Sequence, residues 1–274
     1  MRLGAPILDK IKDPQELAQA HVDLGYRAGF CPWGLSMKDP DYLREVRTAF
    51  EQRDVVIAEV IGWRNLIPPD DDARAEAFQW MCDQLAVADE IDARCCLSFG
   101  GTRENEKGWT PHPDNLSPAT FDMVVQTVRR ILDEVEPRRT KFALEMMPTV
   151  FPNSADNCLE LIDAVDRPAF AVHLDPANLI YSPQLYFDNA SVIRECFDKL
   201  GQWIVSCHAK DIIWRVQRGF HLDESIPGTG NLDYRAYLDG MKRLPPDTPL
   251  LLEHMDTQEE YRQGYDYIRS LDTD

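Results

Sequence analysis

The chain has 274 residues, 44% of them hydrophobic, which suits a single α/β barrel, a fold that fills about 250 residues by itself. Its net charge of −18 argues against a nucleic-acid face, which needs clustered lysine and arginine, and against an anionic membrane surface, while leaving small anionic substrates open. No apolar stretch approaches the roughly 20 residues that span a bilayer, and residues 1–30 lack the basic start and apolar block of a signal peptide, so the expected location is the cytoplasm.

The first strand is Arg2–Ala5. Asp13-Pro14-Gln15-Glu16 then opens a helix with an N-cap, a proline at the first helical position and a capping-box glutamate. Strand two, Arg27–Cys31, is followed by the same cap-proline start at Asp39-Pro40. Val55–Ile61 is strand three, and Glu59 near its end is a further candidate carboxylate outside the principal set. Strand four, Arg94–Phe99, carries Cys95-Cys96; the odd total of seven cysteines without a CxxC pair reads as reduced, buried thiols. Residues 99–116 are too long for a simple connector. Ser117-Pro118 starts a helix whose Phe121, Val124, Val125, Val128 and Leu132 form one apolar stripe. Lys141–Met146 and Ala169–Asp175 are strands five and six, Ser182-Pro183 caps another helix, and Trp203–Lys210 is strand seven. A second long segment, 211–232, holds Trp214, Arg215, Arg218, His221 and Gly228-Thr229-Gly230 before strand eight, Pro249–His254.

Strict strand-helix alternation implies a parallel sheet with right-handed crossovers. The expected fold is a (β/α)8 TIM barrel, one domain over residues 1–274. A doubly wound open sheet is the alternative, but no GxGxxG turn follows the first strand. Both long segments leave the C-terminal end of a strand, where barrel enzymes build their sites.

Four side chains each close an apolar run: Glu145 after Phe142-Ala143-Leu144, Asp175 after Ala171-Val172-His173-Leu174, His208 after Val205-Ser206-Cys207, and Glu253 after Leu250-Leu251-Leu252. A charge at a buried strand end is costly unless neutralised. Any one of them is explained by pairing with a neighbouring arginine. Four together, spaced by roughly one strand-helix repeat of a barrel, suit a divalent cation with open positions for substrate. Strand alternation puts Glu145 with Ala143, Asp175 with His173 and Ala171, His208 with Ser206, and Glu253 with Leu251 on shared, inward faces. By the same alternation His254 is expected to point away from the interior.

These segments resemble the sugar phosphate isomerase/epimerase superfamily, the xylose-isomerase-like barrels that include ketose 3-epimerases, inosose dehydratases and isomerases, and apurinic endonucleases. The likeness rests on Leu144-Glu145-Met146, Val172-His173-Leu174-Asp175-Pro176-Ala177-Asn178, Cys207-His208-Ala209-Lys210-Asp211, Pro227-Gly228-Thr229-Gly230-Asn231-Leu232-Asp233 and Leu251-Leu252-Glu253. The N-terminal half matches mainly in strand order and in Glu59-Val60-Ile61-Gly62-Trp63. The resemblance implies that Glu145, Asp175, His208 and Glu253 hold Mn²⁺ or Mg²⁺, with Co²⁺ or Zn²⁺ as related ions, and that Glu145 and Glu253 form the acid/base pair. Ketose 3-epimerases carry a histidine three residues after the ligand aspartate. Asn178 stands there instead; it can hydrogen-bond a hydroxyl but cannot carry a proton at neutral pH.

The implied chemistry is proton abstraction beside a chelated carbonyl, through an enediolate. Isomerisation or epimerisation of a keto-sugar or keto-polyol, phosphorylated or not, is the leading expectation. A lyase on the same scaffold (inosose dehydratase-like, or β-elimination from a 3-keto-glycoside) is the alternative, and a non-catalytic sugar-binding barrel is a third. Expected substrate contacts are Lys210, Arg215, Asn178, Trp63, Trp109 and Trp33; His173 and Asp211 are expected to support the ligands from behind. Gly228-Thr229-Gly230 alone is a weak phosphate-cradle signal. The expected partner is a small carbohydrate, with no nucleic acid or membrane, and self-association into a dimer or tetramer is a guess from architecture.

Overall fold

The computed structural model describes residues 1–105 and 108–272, so Glu106 and Lys107 of the 99–116 segment, and the last two residues of the expected domain, lie outside the described residues. All eight expected barrel strands form: β1 (Arg2–Gly4), β2 (Ala28–Phe30), β3 (Val56–Ile61), β4 (Cys95–Ser98), β5 (Lys141–Glu145), β6 (Phe170–Leu174), β7 (Ile204–Ala209) and β10 (Pro249–Leu252). They close in the order β1-β10-β7-β6-β5-β4-β3-β2, every neighbour parallel. The fold is therefore a single-domain (β/α)8 barrel.

Helices lie between the strands: α1 (Pro14–Asp23), α2 (Pro40–Gln52), α3 (Asp71–Glu90), α4 (Pro118–Val135), α5 (Ala155–Val165), α6 (Pro183–Phe187), α7 (Asn189–Leu200), α8 (Tyr234–Met241) and α9 (Gln258–Leu271). Their starts follow the local chemistry. Asp13, Asp39, Ser117 and Ser182 each accept a backbone N–H of the first turn, with proline at the head of the helix. On α4, Val124, Val125, Val128 and Leu132 are buried against the sheet and Phe121 is half-buried. Small and aliphatic side chains fill the barrel itself, among them Ala28, Ala58 and Leu251 in one cluster and Cys95, Leu97 and Ala143 in another. All seven cysteines are free thiols. Among the described residues no helix is long and apolar enough to cross a membrane.

The segment 211–232 is not an irregular loop. It contains an antiparallel hairpin, β8 (Asp211–Gln217) with β9 (Gly219–Ser225), turning at Arg218 and at Gly219, whose φ is +91°. After the hairpin the chain returns to the barrel through Gly228-Thr229-Gly230, and one buried carboxylate fixes that return. Asp211 Oδ1 accepts from Ile212 N and Leu232 N, both at 2.8 Å, and Oδ2 accepts from Gly228 N at 2.9 Å and Gly230 N at 3.1 Å. A Cβ on Gly230 would sit 2.4 Å from Asp211 Oδ1, so the close approach requires glycine. The amides that could have cradled a phosphate are thus already filled by a side chain.

Two measurements test this packing. Asp211→Asn turns one acceptor oxygen into a donor facing N–H groups, and the expected loss is on the order of 3 kcal/mol in chemical denaturation; a change within error contradicts the latch. His21 is buried on α1, its Nδ1 donating to Leu17 O at 2.9 Å while Nε2 has no partner. Burial holds its pKa below the usual 6.5. The unfolded chain therefore takes up a proton below pH 6.5 that the folded chain resists, and stability contributed at neutral pH falls as pH falls, by at most about 1.4 kcal/mol per pH unit from this group. In His21→Gln the stability difference between pH 7 and pH 5 should shrink; an unchanged difference contradicts the assignment.

Candidate metal centre

Four strands of the barrel deliver the expected quartet to one point. Glu145 is the last residue of β5, Asp175 follows β6, His208 lies in β7 and Glu253 follows β10. One ligand atom from each can be chosen so that all lie within 4.8 Å of one another, and all four residues are buried. Ligand atoms sharing a cation at about 2.1 Å stand about 3–4 Å apart, so small side-chain movements close the set.

Close charged contacts crowd the centre. His208 Nδ1 lies 3.1 Å from Glu253 Oε2 and 3.8 Å from Glu145 Oε1, and Asp175 Oδ2 is ion-paired with Lys210 Nζ at 2.8 Å. The other Asp175 oxygen accepts from Ala177 N at 3.0 Å, which caps the 3₁₀ turn Pro176–Leu179 and fixes the carboxylate. Three buried carboxylates and one imidazole, once it gives up its Nδ1 proton, form a donor set that fits a divalent cation of hard or borderline character.

The protonation equilibria show the same demand for positive charge. Burial pushes Asp175 up to about 7, against the pull of Lys210. Burial also works against a charged His208, but Glu253 and Glu59 outweigh it and hold the imidazolium well above 6.5. Lys210, opposed by burial, is held charged by Asp175 and Glu253. Its ammonium reaches Glu253 Oε1 at 2.7 Å, Asp175 Oδ2 at 2.8 Å and Glu224 Oε1 at 3.0 Å. One ammonium is shared among three carboxylates, so the site attracts further positive charge.

A cavity of about 240 Å³ opens above this centre, lined by Trp63, Phe99, Trp109, Glu145, Met147, Asn178, Lys210, Glu224, Glu253 and His254. Trp63 stacks on Phe99 with centroids 5.8 Å apart, and Phe99 meets Trp109 edge-on at 5.1 Å. Buried Asn115 ties the 99–116 segment down through Thr110 O and Thr149 O, and Thr149 Oγ1 donates to Trp109 O. Asn178 Nδ2 donates to Glu145 Oε1 at 2.8 Å.

The remaining expected residues fall elsewhere. Arg215 pairs with Asp223 across the hairpin at 2.9 Å, both about half exposed, and does not line this cavity. Trp33 is 88% exposed and lines a separate cavity with residues 6–12. Asp211 serves the backbone latch described above. His173, expected to support the ligands by hydrogen bonding, instead packs its ring 4.0 Å from that of His208 with neither nitrogen hydrogen-bonded, its Nδ1 3.5 Å from Glu59 Oε2.

Two cavity residues lay outside the expected set. His254 does not point away: β10 ends at Leu252, and a φ of +62° at His254 turns its side chain back. Its Nδ1 is 2.6 Å from Glu224 Oε2 and its Nε2 is 3.4 Å from Glu253 Oε2. Glu224 comes from the hairpin, and its link to Lys210 and His254 ties β9 to the mouth of the barrel. The alternation Trp214, Val216, Phe220, Leu222 was the available signal for that hairpin. Glu59 sits beneath the quartet, fully buried, with Oε1 2.9 Å from His208 Nε2.

Known proteins of this shape differ in activity. Over 138 residues, 49% of this chain and 46% of the other, the chain is 26% identical to the 3-oxo-isoapionate decarboxylase of Pectobacterium atrosepticum, so the match spans about half of that curated relative. The 3-keto-D-glucoside 4-epimerase of E. coli superposes with a TM-score of 0.70 at 14% identity, covering 98% of this chain and 99% of that one. Endonuclease IV of Thermus thermophilus superposes with a TM-score of 0.72 at 16% identity, covering 99% and 98%. At such identities the two structures show a shared fold alone. The family described as xylose isomerase-like TIM barrel matches residues 18–271, nearly the whole length. The chain belongs to that family.

Proposed function

We propose that this protein is a divalent-metal-dependent isomerase or epimerase of an unphosphorylated keto-sugar or keto-polyol, working by proton transfer through an enediolate. The observation that carries the reading is the convergence of buried Glu145, Asp175, His208 and Glu253, one ligand atom from each within 4.8 Å, beneath an aromatic-walled cavity. Mn²⁺ and Mg²⁺ suit this oxygen-rich set best, with Co²⁺ and Zn²⁺ as substitutes.

A bound divalent ion supplies Lewis-acid polarisation of a carbonyl and its neighbouring hydroxyl, which acidifies the carbon-bound proton between them. The protein's own groups handle that proton. Glu145 and Glu253 approach the cavity from β5 and β10, three strands apart around the ring, so one can remove the proton and the other return it. Asn178 holds the Glu145 carboxylate, and His208 and Lys210, opposed by burial, keep Glu253 ionised, well below its usual range. The Lys210 ammonium is also placed to stabilise negative charge on a substrate oxygen. Trp63, Phe99 and Trp109 offer a face for the C–H side of a sugar and exclude water from it.

Phosphorylation of the substrate is disfavoured by what surrounds the cavity. The Gly228–Gly230 amides are taken by Asp211, Arg215 is tied to Asp223, and Glu145, Glu224 and Glu253 line the space. A phosphate dianion would meet those carboxylates with one ammonium, already shared, among the described lining residues.

A lyase using the same first step is the second reading. It is favoured by Asn178, which removes one proton carrier from the site.

Incubating the Mn²⁺-loaded protein with free ketoses and 3-keto-glycosides in D₂O tests both. The expected product keeps the substrate's mass apart from one solvent deuterium at a stereocentre. Glu145→Gln and Glu253→Gln, with metal content measured by elemental analysis, should each lower turnover by about 10²-fold or more. Loss of water or an aglycone would favour the lyase; sugar binding that survives Glu253→Gln, without turnover in the parent, would favour a non-catalytic barrel. Turnover that persists after complete chelation contradicts the metal-dependent reading.

A further inference from the structure

We infer that Glu59 is a positioning residue that orients His208 toward the cation, a role that rests on the metal-binding reading above. Glu59 comes from β3, which pairs only with β2 and β4, so its side chain reaches β7 across the barrel interior and not through the sheet. It is completely buried, and a carboxylate in such a place is costly without partners. Three partners surround it. Oε1 lies 2.9 Å from His208 Nε2, while Oε2 accepts from Ser206 Oγ at 3.4 Å and lies 3.5 Å from His173 Nδ1.

The two nitrogens of His208 face opposite ways. Nδ1 points at Glu145 and Glu253, and Nε2 points down at Glu59. An imidazole can give Nδ1 to a cation only if its remaining proton is on Nε2, and that proton needs an acceptor in a site closed to water. Glu59 Oε1 is the acceptor. The backbone around the ring is already fixed, since the carbonyl of His208 accepts from Tyr237 OH at 2.6 Å. What Glu59 adds is the tilt and tautomer of the ring. Glu59, His173 and His208 also lie close enough together to hold an ion themselves, so that Glu59 as a ligand is the competing role.

Calorimetric titration with Mn²⁺ of wild type, Glu59→Gln and Glu59→Leu separates these roles, with circular dichroism as the check on folding. Glutamine retains an oxygen to accept the Nε2 proton; leucine fills similar space and accepts nothing. The expected order of affinity is wild type, then Glu59→Gln, then Glu59→Leu, the last about 10–100-fold weaker than wild type. Equal affinity in Glu59→Leu and wild type overturns the role, as does a Glu59→Gln variant as weak as Glu59→Leu, which would make Glu59 a ligand. If Glu59→Leu does not fold, ¹⁵N spectra of histidine-labelled, Mg²⁺-loaded wild type and Glu59→Gln decide: an Nε2–H resonance of His208 that shifts on Glu59→Gln supports the role, and one that does not move, or a protonated Nδ1, overturns it. Wild type that takes up no cation overturns the metal reading and this role together, whereas binding that is indifferent to Glu59 overturns this role alone.

Discussion

Negative charge held out of water in the barrel mouth is the constraint on which the remaining features depend. Glu145, Asp175 and Glu253 are all buried there, Glu59 lies below them and Glu224 above, and among the described residues Lys210 is the one ammonium that reaches them. Buried charge is tolerated only when it is paired. Lys210 answers part of this need by bridging Asp175, Glu224 and Glu253, and His208 answers another part by holding a proton against the cost of burial. A divalent cation would answer it more completely, because it brings two charges and can be held by Glu145, Asp175, His208 and Glu253 together, in place of the His208 Nδ1 proton.

The barrel supplies the geometry for that centre. Parallel strands end together on one face, so a single polar residue at the end of each of several strands suffices to assemble a site. Small residues such as Ala143 and Leu251's neighbours Ala28 and Ala58 fill the interior beneath, leaving room for the larger imidazoles of His173 and His208. The excursions after β4 and β7 then build the walls. One contributes Trp109, pinned through Asn115 and Thr149; the other contributes Glu224 from a hairpin closed by Asp211. The same face that creates the electrostatic demand therefore carries the apolar surface suited to a sugar.

Much of this was legible in the sequence because it is written in local contrasts. An acid or imidazole that ends an apolar run is visible without coordinates, and four of them one repeat apart locate the quartet. Cap-proline pairs and apolar stripes placed the helices for the same reason. What escaped depends on contacts between distant residues or on a single backbone angle. Glu59 meets His208 across 149 positions of sequence, which no periodicity reports. His254 was misplaced because strand alternation was carried one residue past Glu253, where the backbone turns left-handed. Gly228-Thr229-Gly230 looked like a ligand cradle because its occupant, Asp211, lies 17 residues earlier. Arg215 and Trp33 carry suitable chemistry at suitable points of the chain, but the hairpin and the β2 turn direct them elsewhere.

The proposed proton abstraction is compatible with several outcomes, epimerisation, isomerisation and β-elimination among them. The claim common to all of them is the location of the cation. Anomalous diffraction from Mn²⁺-loaded crystals tests it most directly. The account predicts one strong peak per chain, about 2.0–2.3 Å from Glu145, Asp175, His208 Nδ1 and Glu253. A peak on the Nε2 side among Glu59, His173 and His208, or no peak within the barrel mouth, would contradict it.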